Sequence, residues 1–300
     1  MFSVTILGNN SAIPAYDRHP TAQAVQKDDE IFLVDCGEGT QSQMNRFKIK
    51  HSKINNILIS HLHGDHYFGL IGLLTSMGLL GRKNDVNLFC PPFLKEIIDL
   101  QLKVADAKLP YQLIFHQLEG EQMLFEDKKI AIKSFQVFHR IPCWGFSFIE
   151  KKHLRKINIE KAREHDIPTS FFESLHLGMD YIRTDNTLVK NEAVTFDIPP
   201  VKTYAYCGDT LFNEVVAQKV MGVNLLYHES TYLHHLQEKA ASRFHSTSKE
   251  AAAIAKTANV GKLLLGHFSS QYESLQPFLD EAKEVFPNTE LAHEGTTFLI

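Results

Sequence analysis

The segment Ser60-His61-Leu62-His63-Gly64-Asp65-His66 packs four metal-ligating side chains into six residues. In extended backbone alternate side chains point the same way, so His61 and His63 form a pair, and Asp65 and His66 follow at the turn into a helix. A single zinc takes three or four ligands. A two-metal site needs more, with a shared carboxylate and a metal separation of about 3.5–4 Å. Three further residues complete such a set. His139 follows the apolar run Phe135–Phe138, Asp209 lies in Cys207-Gly208-Asp209-Thr210, and His267 lies in Leu264-Leu265-Gly266-His267. Each follows an apolar, strand-like run, and loops at strand ends of a layered α/β domain converge on one edge. Asp209, as the late Asp in a Gly-Asp strand-end setting, is the expected bridge. The chemistry this set suits is hydrolysis by metal-activated water.

The elements that must position these residues are legible in outline. Phe2–Leu7, Thr21–Gln26, Glu30–Val34, Asn56–Ser60, Val86–Phe89, Thr203–Tyr206 and Lys262–Leu265 read as strands. Tyr67–Gly81 reads as one apolar helix, Phe93–Val104 as a second, and Ile141–Gly145 as a turn. Strands alternating with helices and hairpins predict a layered α/β domain over residues 1–300. One stretch breaks the rhythm. Lys151–Arg163 carries six basic residues against one acid, Glu160, a net of +5, and Glu164–Phe196 carries a net of −4. No compact core pattern runs through it, so residues of about 150–197 read as an inserted excursion.

Composition narrows the class. A net charge of −4 leaves no global basic field, so a polyanionic partner must meet a local patch or a metal. Cys36, Cys90, Cys143 and Cys207 form no C-x-x-C pair and read as reduced thiols of a cytoplasmic protein. The N-terminus lacks a basic n-region and reads as a strand rather than a signal peptide. The most apolar stretch, Phe68–Leu80, is interrupted by glycines and is too short to span a membrane.

The order H-x-H-x-D-H, His, Gly-Asp, His resembles the metallo-β-lactamase superfamily, and the chain is more closely similar to its short-form ribonuclease Z family, the tRNA 3′-processing endonucleases. The resemblance runs nearly the full length. It includes Asp35-Cys36-Gly37-Glu38-Gly39-Thr40-Gln41, Tyr206–Thr210, His228-Glu229-Ser230-Thr231, His245-Ser246-Thr247 and Leu265–Ser270. It implies a four-layer αββα sandwich with an inserted tRNA-binding arm, and two zinc ions per protomer, with manganese as an alternative. One zinc would take His61, His63, His139 and Asp209, the other Asp65, His66, Asp209 and His267. Activated water would attack in line, with Asp65 as base or orienter. Asp35 would hold a ligand imidazole from behind. His245, just before a Thr-x-x-Glu capping box, would protonate the leaving group, oriented by Glu229.

The resemblance further implies precursor tRNA as substrate, a 3′-hydroxyl on the product and a homodimer. Arg18 and the basic residues Lys151, Lys152, Arg155 and Lys156 are the candidate RNA contacts. Two departures stand out. Where the family often shows Pro-x-Lys-x-Arg-Asn, the chain reads Pro14-Ala15-Tyr16-Asp17-Arg18-His19, and Ile167-Pro168 is followed by Thr169-Ser170-Phe171 rather than by a Gly-Pro tip. Alternatives are a binuclear hydrolase of small esters, such as an arylsulfatase or phosphodiesterase, and a catalytically dead RNA scaffold. The small-ester enzyme has no use for a basic arm, and the scaffold predicts loss of a ligand where all seven are present.

Overall fold

The computed structural model describes residues 1–151 and 154–300, and the chain divides into two compact units. Met1–Glu126, Ile130–Ile149 and Lys202–Ile300 form one, and Asp127–Lys129 with Glu150–Val201 form the other.

The larger unit is built on two seven-stranded sheets. In the first, Phe2–Gly8, Ala22–Lys27 and Glu30–Val34 run antiparallel in sequence, and Ile54–Leu58, Val86–Cys90 and Leu113–Gln117 continue parallel from Glu30–Val34. In the second, Thr203–Cys207, Leu225–Glu229, Lys262–Gly266 and Thr289–Leu291 are parallel, and Cys143–Glu150 pairs antiparallel to Thr203–Cys207. Alternate residues explain the layering. Val4, Phe32, Val34 and Leu58 of one sheet meet Phe146, Tyr204, Tyr206 and Leu264 of the other in one apolar core. Ile31, Leu33 and Ile57 instead pack with Leu70, Leu73, Leu74 and Met77 of the Leu70–Leu79 helix. Ala205, Leu226 and Leu265 pack with Ala251, Ala255 and Phe278 of the helices Ser248–Thr257 and Gln276–Lys283. Strands apolar on both faces are what two buried sheet surfaces require, and the result is the expected αββα order.

Three local readings change. The single helix expected over Tyr67–Gly81 is two, Gly64–Tyr67 and Leu70–Leu79. The break is at Gly69, whose N–H donates to the Cys36 carbonyl, and where a Cβ would stand 2.2 Å from the Gly37 oxygen. The turn expected over Ile141–Gly145 is instead the start of a strand at Cys143, because Cys143 and Trp144 are buried on opposite sides of it, in different cores. The insertion, read as lacking a core, has one: Ala162, Ile167, Leu175, Val189 and Val194 are buried together. Its helices are four to six residues long, too short for a periodic pattern to show.

Gly8 closes the first strand against Pro20, where a Cβ would lie 1.8 Å from the Pro20 carbonyl oxygen, a backbone atom that cannot rotate away. Gly8→Ala is expected to cost roughly 1–3 kcal/mol, read as a lower urea midpoint at constant m. An unchanged midpoint would show that the close approach is not structural.

Candidate metal centre

The parallel strands deliver their carboxyl ends to one edge, where open α/β sheets place their ligands. Asp35 follows Glu30–Val34, Ser60 and His61 follow Ile54–Leu58, His139 follows Ile130–Val137, Asp209 follows Thr203–Cys207, and His267 follows Lys262–Gly266. Two of these residues hold left-handed backbone, Asp35 at φ 56 and His267 at φ 59. Such conformations cost of order 1–3 kcal/mol and persist where the surroundings fix them. Here they turn the side chains inward. Gly266 precedes His267 for a steric reason, since a Cβ there would meet the Tyr227 hydroxyl at 2.2 Å.

Behind the histidines lies the fully buried Asp35 carboxylate. Its Oδ1 accepts the Ser60 N–H at 2.7 Å, and its Oδ2 accepts the Ser60 hydroxyl at 2.8 Å, His66 Nδ1 at 2.7 Å and the Tyr206 hydroxyl at 2.6 Å. A proton held on His66 Nδ1 leaves Nε2 as a lone pair facing the cleft. The same device recurs. His139 donates Nδ1–H to the Phe244 carbonyl at 2.9 Å, and His267 donates Nδ1–H to Thr231 Oγ1 at 2.9 Å. Gly208 serves this network too, because a Cβ there would press the Tyr206 hydroxyl at 3.0 Å.

The freed donors fall into two groups around Asp209. On one side, His61 Nε2 and His139 Nε2 lie 3.5 and 3.7 Å from Asp209 Oδ2, and both lie within about 3.1 Å of His63 Nδ1. On the other, His66 Nε2 and His267 Nε2 lie 3.3 and 3.0 Å from Asp209 Oδ1 and 3.6 and 3.4 Å from Asp65 Oδ2. Each carboxylate oxygen of Asp209 thus faces a different group. The donor chemistry fits a pair of divalent cations. Nitrogen lone pairs converge on one another at 3.0–3.3 Å, and Asp209 Oδ1 is buried with no hydrogen-bond partner. Burial opposes charge on His66 and His267, yet Asp209, helped by Asp65, outweighs it and raises both imidazoles. Burial instead lowers His61, His63 and His139, which keeps those imidazoles neutral and their nitrogens available as donors. Burial alone would raise the Asp209 carboxyl, and His267, His66 and His61 hold it well below the carboxylate range.

Beside this cluster, Glu229 is a saturated buried carboxylate. Its Oε1 accepts from Thr210 N, Ser246 N and His245 Nδ1 (2.9 Å), and its Oε2 accepts from the N–H and hydroxyl of Thr231. Burial disfavours a charged His245, and Glu229 outweighs it, so the imidazole lies above its ordinary value. His245 Nδ1 is 4.0 Å from Asp209 Oδ2 and is bound to Glu229, and it lies close enough to Asp209 and His267 that these three also form a group able to hold a cation. The capping box read from Thr247 and Glu250 is present and fixes the start of the following helix.

All seven residues expected as ligands meet at this edge, with Asp35, Glu229 and His245 beside them. The expected RNA contacts fare differently. The Arg18 guanidinium is already spent on Asn10 Oδ1 and on the carbonyls of Tyr272 and Glu273, so it holds its loop rather than facing outward free. Arg155 donates to Thr195 Oγ1 and Asp197 in the smaller unit, Lys156 is exposed, and Lys151 is half-buried with its N–H on the Lys129 carbonyl. Lys152 lies outside the described residues. Residues not singled out from the sequence also line the cleft of about 600 Å³ over the centre, among them Arg140, Tyr232, Lys239 and Arg243. Isolated surface cations carry no periodic signal, so no sequence pattern marks them.

Asp35→Asn is expected to keep the fold but misorient His66, weakening metal affinity about 10–100-fold, measured by competition with a chromogenic chelator. Unchanged affinity would show that the carboxylate does not organise the centre.

The family model described as anti-Pycsar protein Apyc1 matches residues 2–286. A ribonuclease Z of Cytophaga hutchinsonii is 43% identical over 303 residues, covering 100% of this chain and 96% of that one. A ribonuclease Z of Bacteroides fragilis is 38% identical over 296 residues, covering 98% and 97%. Among solved structures, human tRNase Z, short form, superposes with TM-score 0.73 at 26% identity over 99% of both chains. The metallo-β-lactamase fold protein YhfI of Bacillus subtilis shares the fold, with TM-score 0.70 at 20% identity and 99% and 98% coverage. The chain belongs to the ribonuclease Z family of metallo-β-lactamase-fold hydrolases.

Proposed function

We propose that this protein is an endoribonuclease that removes the 3′ trailer of precursor tRNA, leaving a 3′-hydroxyl on the tRNA, with two zinc ions as its cofactor and manganese as an alternative. The observation that carries the reading is the pairing of two donor groups on Asp209 with the His245–Glu229 dyad 4.0 Å from the same carboxylate, in a chain matched over nearly its whole length by ribonucleases Z. His61, His63, His139 and Asp209 would hold one ion, and Asp65, His66, Asp209 and His267 the other. Bound there, a divalent pair supplies Lewis acidity toward the phosphate and makes water a competent nucleophile near neutral pH.

The remaining work falls to side chains. Asp65 Oδ2 is fixed by the Ala12 N–H at 2.7 Å and orients the attacking water or takes its proton. As the water oxygen adds to phosphorus, the bond to the tRNA 3′ oxygen breaks. His245, with Nδ1 held by Glu229, presents Nε2 and gives that oxygen its proton. Glu229, anchored by five donors, is a positioning residue that supports the imidazolium.

The smaller unit carries the basic segment, and Lys156, Lys161 and Arg163 are exposed on it, consistent with a role in following the RNA backbone. The reading extends to a homodimer, supported by the exposed apolar side chains of Phe68, Leu79 and Leu80 at the ends of a helical stretch that buries Leu70, Leu73, Leu74 and Met77. A cytoplasmic setting is supported by four free, buried cysteines, and among the described residues no helix is long and apolar enough to cross a membrane.

Incubation with a 3′-extended precursor tRNA should give a single cut after the discriminator nucleotide, with 3′-hydroxyl and 5′-phosphate ends, abolished by chelation and restored by zinc or manganese. Scattered cuts, or none, would overturn the reading. His245→Ala should keep its metal and its KM while kcat falls by about 10²–10⁴; loss of metal would make His245 a ligand. Reversing the charges of Lys156, Lys161 and Arg163 to Glu should raise KM for precursor tRNA and flatten its salt dependence by roughly one log–log unit per lost contact. An unchanged KM would leave the smaller unit without a part in binding.

A further inference from the structure

The cleft over the centre carries both signs of charge, with Glu38, Asp65 and Asp209 in its lining as well as three cations. Arg140, Lys239 and Arg243 line it together with His139 and His245, and Glu38 and Phe68 line it from the segments that follow Asp35 and Asp65. None of the three cations forms an ion pair with a carboxylate among the described residues: Arg140 Nη2 contacts His63 Nε2 at 3.1 Å, and Lys239 Nζ contacts Gln271 Oε1 at 3.1 Å. Elsewhere, exposed lysines of this unit do find carboxylates, as Lys249 does with Glu284 and Lys262 with Glu290. Three unpaired cations at the mouth of a cleft form an electrostatic funnel for an anion.

Their place gives the funnel a direction. Lys239 belongs to the Gln237–Ser242 helix and Arg243 ends it, two residues before His245. The Lys239 ammonium sits 5.1 Å above the Tyr232 ring, whose other neighbour is the His245 ring at 6.3 Å. Tyr232 therefore holds Lys239 toward the cleft by a cation–π contact. His245 Nδ1 is committed to Glu229, so its Nε2 marks the side on which the departing oxygen lies.

We infer that Lys239 and Arg243, with Tyr232 positioning the lysine, form the subsite for the phosphate on the 5′ side of the last retained nucleotide. This rests on the proposed cleavage of precursor tRNA. The departing oxygen is the 3′ oxygen of that nucleotide, and its 5′ phosphate is the first anion upstream. A guanidinium and an ammonium there fix the register of the cut, because one phosphate is held by side chains while its neighbour meets the metal centre. Arg contributes the planar, bidentate contact and Lys the point charge.

The test is a cycle between protein and substrate. Semi-synthetic precursor tRNA carries a neutral methylphosphonate either at the linkage 5′ to the last retained nucleotide or at the first linkage within the trailer. With unmodified RNA, the Lys239→Gln/Arg243→Gln variant should raise KM by about tenfold or more, lower the salt slope by about one unit and keep wild-type metal content. With the upstream methylphosphonate, wild type should lose as much and the variant should lose no more. With the trailer methylphosphonate the two losses should add. Arg243→Lys should recover part of the KM, as a folding defect would not. Additive losses at the upstream linkage, coupling to the trailer linkage instead, or an unchanged KM would each overturn the subsite. Failure of the wild type to cut unmodified RNA after the discriminator would overturn the underlying reading instead.

Discussion

Everything at this centre leans on one buried carboxylate. Asp35 lies at the end of a strand of the first sheet, binds the backbone and hydroxyl of Ser60 beside the histidine segment, and reaches the Tyr206 hydroxyl in the second sheet. Its fourth donor is His66 Nδ1, which touches the metal-binding set itself. A charged group with no exposure persists only when its lone pairs are filled, and filling them requires both sheets in register. The contact that stabilises the sandwich is thus the contact that sets an imidazole tautomer. A second crossing bond, from the Trp144 N–H to the Ser60 carbonyl at 3.1 Å, ties the same residue to the second sheet.

Around that constraint the site is arranged as concentric demands. The strand ends supply direction, and left-handed backbone at Asp35 and His267 supplies the last turn inward. The outer nitrogens of His66, His139 and His267 are each given a protein acceptor, so the inner nitrogens are left as donors facing Asp209, Asp65 and neighbouring imidazoles. Glu229 repeats the logic of Asp35 at a strand end of the second sheet, as a buried carboxylate whose last donor is a functional imidazole. Two such carboxylates let neighbouring histidines differ: one set has its free nitrogens turned on Asp209, and His245 has its Nδ1 bound to Glu229.

The sequence made the centre legible because its chemistry is dense. His61, His63, Asp65 and His66 are consecutive in kind, and His139, Asp209 and His267 each follow an apolar strand. Strand order across the two sheets was hidden, since register depends on pairing between residues as distant as Phe2 and Lys27 or Leu225 and Lys262. The start of the strand Cys143–Glu150 is masked in sequence because Ile141-Pro142 has the look of a turn, while tertiary packing buries Cys143 and Trp144 in different cores. The insertion's core has no periodic signature because its apolar residues are spread over one- and two-turn helices, a two-residue strand and a loop. Arg18 looked like an RNA contact by its loop, and only the fold reveals that its guanidinium is occupied by carbonyls at Tyr272 and Glu273.

The two oxygens of Asp209 face two separate donor groups, each of which would hold a metal ion. The direct measurement is anomalous diffraction at the zinc edge from crystals of the zinc-loaded protein. The account predicts two peaks, one among His61, His63 and His139 beside Asp209 Oδ2, the other among Asp65, His66 and His267 beside Asp209 Oδ1. A single peak, or a pair in which Asp209 contacts only one, would contradict it.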